Sequence, residues 1–248
     1  MEKNTIDYST YEMSVKEKMI GYVAGAAAAF IAIQIFFGYV ILSGICAVAA
    51  GFVGIKIYRQ VLKKKRDNVL LIQFRDMLGS VSTSIGSGKN VVNSFNDAYQ
   101  EMQNQFGDSS YIANELKFII TGLQNNITIE NLLMDFGERS AQEDIQSFAE
   151  VFSVANRRGG SIRQIILDTK NVISDKISVE LEIQTLISGK KNELNIMILL
   201  PLIVVSQVNT MMAETSGFDI ITFIVKIVAI AMFVFAYFIG QKIMDIRV

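Results

Sequence analysis

The 37 residues from Met19 to Ile55 contain no charged side chain. As a single helix rising ~1.5 Å per residue, this run would extend about 55 Å, well beyond a hydrocarbon core roughly 30 Å thick. Two spans of about 18 residues fit it instead. Their turn falls near Phe36, Phe37, Gly38 and Tyr39, where aromatic rings suit a membrane interface. Gly21 and Gly25 form a GxxxG face on the first span, and Ala47 and Gly51 continue the small-residue theme on the second, so close helix packing is expected. Lys56, Arg59, Lys63, Lys64, Lys65 and Arg66 follow at once. Such a cluster marks the cytoplasmic side. It reads either as a solvated stop signal or as a contact for anionic membrane lipid or a partner.

A second apolar pair closes the chain. The third span covers about 194–212 and contains Pro201, which removes a backbone donor and kinks a helix in a way that packed membrane bundles tolerate. The loop bracketed by Glu214 and Asp219 carries no Lys or Arg and so belongs outside. The fourth span runs from Ile220 to about Gly240, with Lys226 inside it snorkelling to the outer interface. Four spans put both termini in the cytoplasm.

Hydrophobic residues make up 51% of the chain and charged ones 19%, with the apolar residues gathered at the two ends. That pattern describes a membrane protein with a soluble insert. A formal net charge of −1 provides no basic field for nucleic acid. Cys46 is the single cysteine, which excludes an intramolecular disulfide and a cysteine metal cluster. Histidine is absent, and with it go His-based triads, His-ligated zinc and His general bases.

The middle segment, about 59–193, predicts six helices. The first spans about 59–83 on an apolar stripe of Val69, Leu70, Ile72, Phe74, Leu78 and Val81. The second runs from Val91 to about Gln105, and the third follows Ser109 and Ser110. The fourth is capped by Thr128. The fifth opens on a capping box from Ser140 to Glu143, and the sixth on Ser161 and Gln164. Within this segment one phrase recurs at Gly88 to Phe95, at Asn126 to Leu133 and, in variant form, at Gly159 to Ile166. Each copy is a helix restart. Gly88, Asn126 or Gly159 tolerates the left-handed conformation that ends one helix, and Asn90, Thr128 or Ser161 caps the next. Repeated restarts predict stacked helical hairpins.

Gly86 to Asn90 looks like a nucleotide-binding loop and fails as one. The motif needs Gly where Thr83 stands, and Ser or Thr where Asn90 follows Lys89. The acids Asp135, Glu138, Glu143, Asp144 and Glu150 are spread at spacings typical of solvated helix faces. Arg157 and Arg158, followed by Gly159 and Gly160, favourably meet the negative end of a helix dipole, and the same pair is suited to contact an acidic partner surface.

The fold class expected is therefore all-α: four transmembrane helices and a helical-bundle domain. Residues 1–18 form a cytoplasmic tail with an interfacial helix over Tyr11–Lys18. Residues 19–58 form a membrane hairpin, 59–193 the cytoplasmic domain, 194–240 the last two spans and 241–248 a second tail.

In this order the features resemble the F-type platform proteins of type II secretion and of type IV or Flp pilus machines, most nearly their TadB/TadC branch. The residues that carry the resemblance are Gly88 to Phe95, Asn126 to Leu133, Gly159 to Ile162, and Leu199, Leu200 and Pro201. It covers about 19–248. Two positions depart from the family pattern: Asn126 replaces a usual Gly, and Arg157 and Arg158 stand where an acid is common. The resemblance implies a protein with no catalytic residue and no cofactor. It also implies docking to a hexameric secretion ATPase, handling of pilin subunits, and assembly as a homo-oligomer or with a paralogous platform protein. A small multi-pass transporter or permease component is the alternative. It needs polar groups facing one another at mid-membrane, and only Gln34, Gln207 and Lys226 qualify.

Overall fold

The computed structural model describes residues 6–158 and 160–212, together with 224, 226–232, 235, 236, 239 and 240. Seven helices follow in order: α1 Val15–Phe37, α2 Val40–Gly86, α3 Val91–Phe106, α4 Tyr111–Gln124, α5 Ile129–Ser140, α6 Glu143–Arg158 and α7 Ile162–Met212. Further helical backbone lies within 224–240, and there is no strand among the described residues. The chain is all-helical there. It divides into two compact units, one of Val61–Val179 with the N-terminal residues up to Glu12, the other of Met13–Gln60 with the residues from Glu180 onward.

The first unit is a bundle built on apolar stripes. Leu70, Phe74, Met77, Leu78 and Val81 recur along α2 at helical spacing and are all buried. They meet Phe95 and Met102 of α3, Ile112 and Leu116 of α4, Leu133 and Phe136 of α5, Phe148 and Phe152 of α6, and Ile166 and Ile173 of α7. Phe74 sits at the centre. Its ring meets Phe136 at 6.0 Å and Phe148 at 5.5 Å between centroids, both edge-on, the arrangement that aromatic quadrupoles favour. The starts of α3 and α4 are fixed by short polar side chains. Asn90 accepts the Asn93 N–H at 2.8 Å, and Ser110 accepts the Ala113 N–H at 3.4 Å.

Ser140 departs from the sequence reading. It is the last residue of α5, not the cap of the next helix. Its hydroxyl donates to the Gly137 carbonyl at 2.7 Å and accepts the Gln142 N–H at 3.2 Å. Ala141 takes up left-handed backbone (φ 51°), so α6 starts only at Glu143. The buried hydroxyl therefore holds a two-residue turn together.

In the second unit α1 and α2 form an antiparallel hairpin. Gly38, at φ 70°, ends α1 by returning its N–H to the Gln34 carbonyl at 2.9 Å. A Cβ on Gly25 would lie 2.9 Å from the Gly54 Cα, and one on Gly54 would lie 2.5 Å from the Gly21 carbonyl oxygen. Backbone thus meets backbone, which only glycine permits. The GxxxG face is used within the hairpin. Across the turn the buried Ser43 hydroxyl lies 3.1 Å from Gln34 Oε1, so these two polar groups of the apolar run satisfy one another.

Both helices are long and apolar enough to cross a membrane, yet only 11% of the apolar window of α1 and 17% of that of α2 is buried. Within those windows the apolar side chains point outward on most sides, unlike the buried stripe over the second half of α2. Pro201 lies inside α7, Lys226 is half-buried in the last helical stretch, and Gly240 sits against Leu194. The expected loop at 213–219 and tail from 241 lie outside the described residues.

Replacing Phe74 by Ala removes the one side chain that touches both aromatic partners. The expected loss is about 3–5 kcal/mol, the usual cost of truncating a buried Phe. Denaturant unfolding followed by helical circular dichroism checks it. A loss below about 1 kcal/mol, within the range of surface substitutions, contradicts the central placement of this ring.

Candidate functional site

Short turns between alternating helices bring all three restart phrases to one end of the bundle, the end remote from Val61 and Val179. There α2, α4 and α6 finish and α3, α5 and α7 begin. Gly88 has φ 91°, and Asn126 has φ 61°, rare for a residue with a side chain. Each is followed two residues on by the N-cap, Asn90 or Thr128. Asn90 caps through its side chain. Thr128 has the extended backbone of a cap but makes no side-chain cap hydrogen bond, and its hydroxyl faces Glu130 instead. Ser161 accepts the Gln164 N–H at 3.4 Å and so starts α7. Gly159 lies outside the described residues.

This tip is rich in cations. Lys89 pairs with Asp97 at 2.6 Å. That bond, then one from the Ser84 hydroxyl, holds the Asp97 carboxyl below the usual range. The Arg163 guanidinium lies against Gly86, where a Cβ would come within 3.0 Å of it. Arg157 and Arg158 are exposed in the last turn of α6, and neither makes an ion pair or hydrogen bond among the described residues. The Gly160 N–H bonds to the Ala155 carbonyl at 2.9 Å, which closes the turn beneath them. Nearby, Glu130 at the start of α5 accepts a hydrogen bond from Asn156. That bond, the Glu130 N–H, the charge of Arg157 and the Thr128 hydroxyl keep its carboxyl below the ordinary range. The sequence-predicted residues at Gly88, Asn90, Asn126, Thr128, Arg157, Arg158, Gly160 and Ser161 therefore lie at one end of the bundle, whereas Pro201 and Lys226 belong to the other unit.

A second polar assembly, at the opposite end of the bundle, went unread in the sequence. Tyr8, within the stretch expected to be a tail, is 0% exposed. Its hydroxyl donates to Glu115 Oε1 at 3.0 Å. Arg139 grips the same carboxylate with two nitrogens, at 3.0 and 2.7 Å, and Asp135 with a third at 2.7 Å. Arg66, counted from sequence with the solvated basic cluster, is buried here. Its guanidinium bonds to the carbonyls of Tyr8 and Thr10 and to Asp67, and lies 5.4 and 5.3 Å from the ring centroids of Tyr8 and Tyr11. Aromatic faces and carbonyls replace its water. The one signal available was Glu115 itself, an acid on the apolar stripe of α4.

Burial pushes the Tyr8 hydroxyl well above its ordinary range, and the charge and hydrogen bond of Glu115 push it further. For Arg139, burial opposes the charge, but the bonds and charge of Glu115 and Asp135 outweigh it and hold the guanidinium protonated. A phenol whose folded pKa is raised contributes stability below its unfolded value of about 10 and loses it as pH rises towards the folded one. The difference in 295 nm absorbance between the native chain and Tyr8→Phe should thus show tyrosinate forming only well above pH 10. A midpoint near pH 10 would mean that the hydroxyl is solvated.

Comparison with protein-family models, with curated proteins and with solved structures finds no match for this chain.

Proposed function

We propose that this protein is the membrane platform of a type II secretion or type IV/Flp pilus assembly machine. In this reading it couples a cytoplasmic secretion ATPase to the extraction of pilin subunits from the bilayer. The four apolar spans lie in the cytoplasmic membrane, with the helical bundle and both termini on the cytoplasmic side. The observation that supports the reading most is the continuity of α2 and α7. Each contributes buried residues to the bundle and runs on, without a break in the helix, into an apolar stretch. A helix transmits displacement along its axis, whereas a Gly- or Ser-rich linker would absorb it.

The tip of the bundle is the docking surface in this account. Arg157 and Arg158 are adjacent and exposed at the end of α6, with the charge of Arg157 felt by Glu130, and they stand on a turn fixed by the Gly160 N–H. Guanidinium groups so held suit carboxylates on an ATPase, which they can engage in two-pronged hydrogen bonds.

Reversing both arginines to Glu tests this. At an exposed helix C-terminus the substitution costs only about 0.3–1 kcal/mol per charge, so the bundle should still fold. Purification of the full-length variant from native membranes should then show loss of the hexameric ATPase with membrane insertion intact. Undiminished ATPase recovery with an intact fold would leave the arginines as helix-end charges alone and remove the tip as the docking surface.

A further inference from the structure

We propose that residues 6–11 are a separable peptide ligand of the helical bundle, seated in a groove that Arg66, Glu115 and Arg139 build for a tyrosine-bearing segment. Nothing in this inference depends on the secretion reading. It rests on how the segment is held.

Of residues 6–12, Tyr8 alone is buried, while Ile6, Asp7, Ser9, Thr10 and Glu12 are exposed. A segment integral to a core would bury a stripe. This one inserts one fully buried anchor, with Tyr11 half-buried over the Arg66 guanidinium. The remaining recognition is of main chain: Arg139 donates to the Ile6 carbonyl at 3.0 Å, and Arg66 to the Tyr8 and Thr10 carbonyls, so alternate carbonyls are read by two guanidinium groups. The Tyr8 N–H returns a bond to the Arg139 carbonyl at 2.9 Å. Backbone bonds for affinity with one side-chain pocket for specificity is how folded domains bind peptides. A buried aromatic of this kind is the usual anchor of such contacts.

The pocket is chemically specific. Glu115, 3% exposed at its side chain, meets the phenol hydroxyl with one oxygen, and Arg139 holds both its oxygens. Tyr111 meets the Tyr8 ring edge-on at 6.1 Å. A phenylalanine would fit the shape but leave a Glu115 lone pair without its hydroxyl donor. Asp7 in the segment complements the charge of the two arginines of the groove. The ligand is thus an acidic, tyrosine-centred segment, and the protein carries its own copy directly before α1. Release of that copy would free the residues leading into the first apolar helix.

The test uses the chain in detergent and a fluorescent peptide of residues 6–12. A chain beginning at Met13, with helix content matching the native chain, should bind the peptide saturably by anisotropy. A Tyr8→Ala peptide should bind about tenfold more weakly or worse, and the full chain, its groove occupied, should also bind about tenfold more weakly than the shortened one. The proposal is overturned if the shortened, folded chain does not bind the peptide, if both peptides bind alike, or if the full chain binds as well. Tyr8→Ala in the full chain guards against misfolding of the shortened one. Hydrogen exchange should quicken in residues 6–12 while amides around Leu116 and Phe136 stay protected. Loss of protection spreading through α4 and α5 would make the segment a part of the core and end the proposal.

Discussion

One helix has to satisfy two different demands, and the architecture follows from how α2 meets them. Over its first half it is apolar on nearly every side, with Ile41, Ile45, Phe52 and Val53 exposed. Over its second half it is amphipathic, with Leu70, Phe74, Met77, Leu78 and Val81 buried along one stripe. An all-round apolar helix needs an apolar medium, whereas a striped helix needs a packed neighbour and water on its other side. The change falls at the basic residues from Lys56 to Lys65. The same helix supplies the glycines that let α1 approach and the phenylalanine around which α5 and α6 pack.

The bundle then closes its two ends by different means. At the restart end the work is done by backbone: positive φ at Gly88 and Asn126, caps at Asn90 and Ser161, and a bonded turn at Gly160. Surface ion pairs such as Lys89 with Asp97 contribute little there, because water screens them. At the other end the work is electrostatic and buried. Glu115 is taken out of water because Arg139 and Tyr8 meet its oxygens, and removing Arg139 would strand the charge. That is why a short N-terminal segment with one buried side chain can hold a defined place.

Local features were legible in the sequence, and long-range ones were not. The starts of α3, α4 and α7 were readable because Asn90, Ser110 and Ser161 cap within a few residues of themselves, and that of α5 because Thr128 has the extended backbone of a cap. The stripe of α2 and the turn at Gly38 were readable from periodicity and from a long uncharged run. Ser140 misled, because its spacing to Glu143 imitates a capping box while Ala141, in an unusual left-handed conformation, moves the helix start. Arg66 misled in a second way. Its neighbours Lys63, Lys64 and Lys65 made it look solvated, and the carbonyls that bury it lie 56 and 58 residues away in sequence. Tyr8 is separated from Glu115 by 107 residues, a pairing that no local pattern announces.

Nitroxide scanning along α2 in membranes, with Cys46 replaced by Ser, tests whether this helix passes from an apolar medium into the packed bundle. Accessibility to oxygen and to a polar nickel reagent is measured at successive positions from Ile41 to Val81. From Ile41 to Ile55 the labels should be protected from nickel on all faces of the helix, with oxygen access high wherever α1 is not in contact. Beyond Val61 both should rise and fall with the ~3.6-residue helical period, with minima at Leu70, Phe74, Leu78 and Val81. Nickel access throughout 41–55, or no periodicity beyond Val61, would contradict the account.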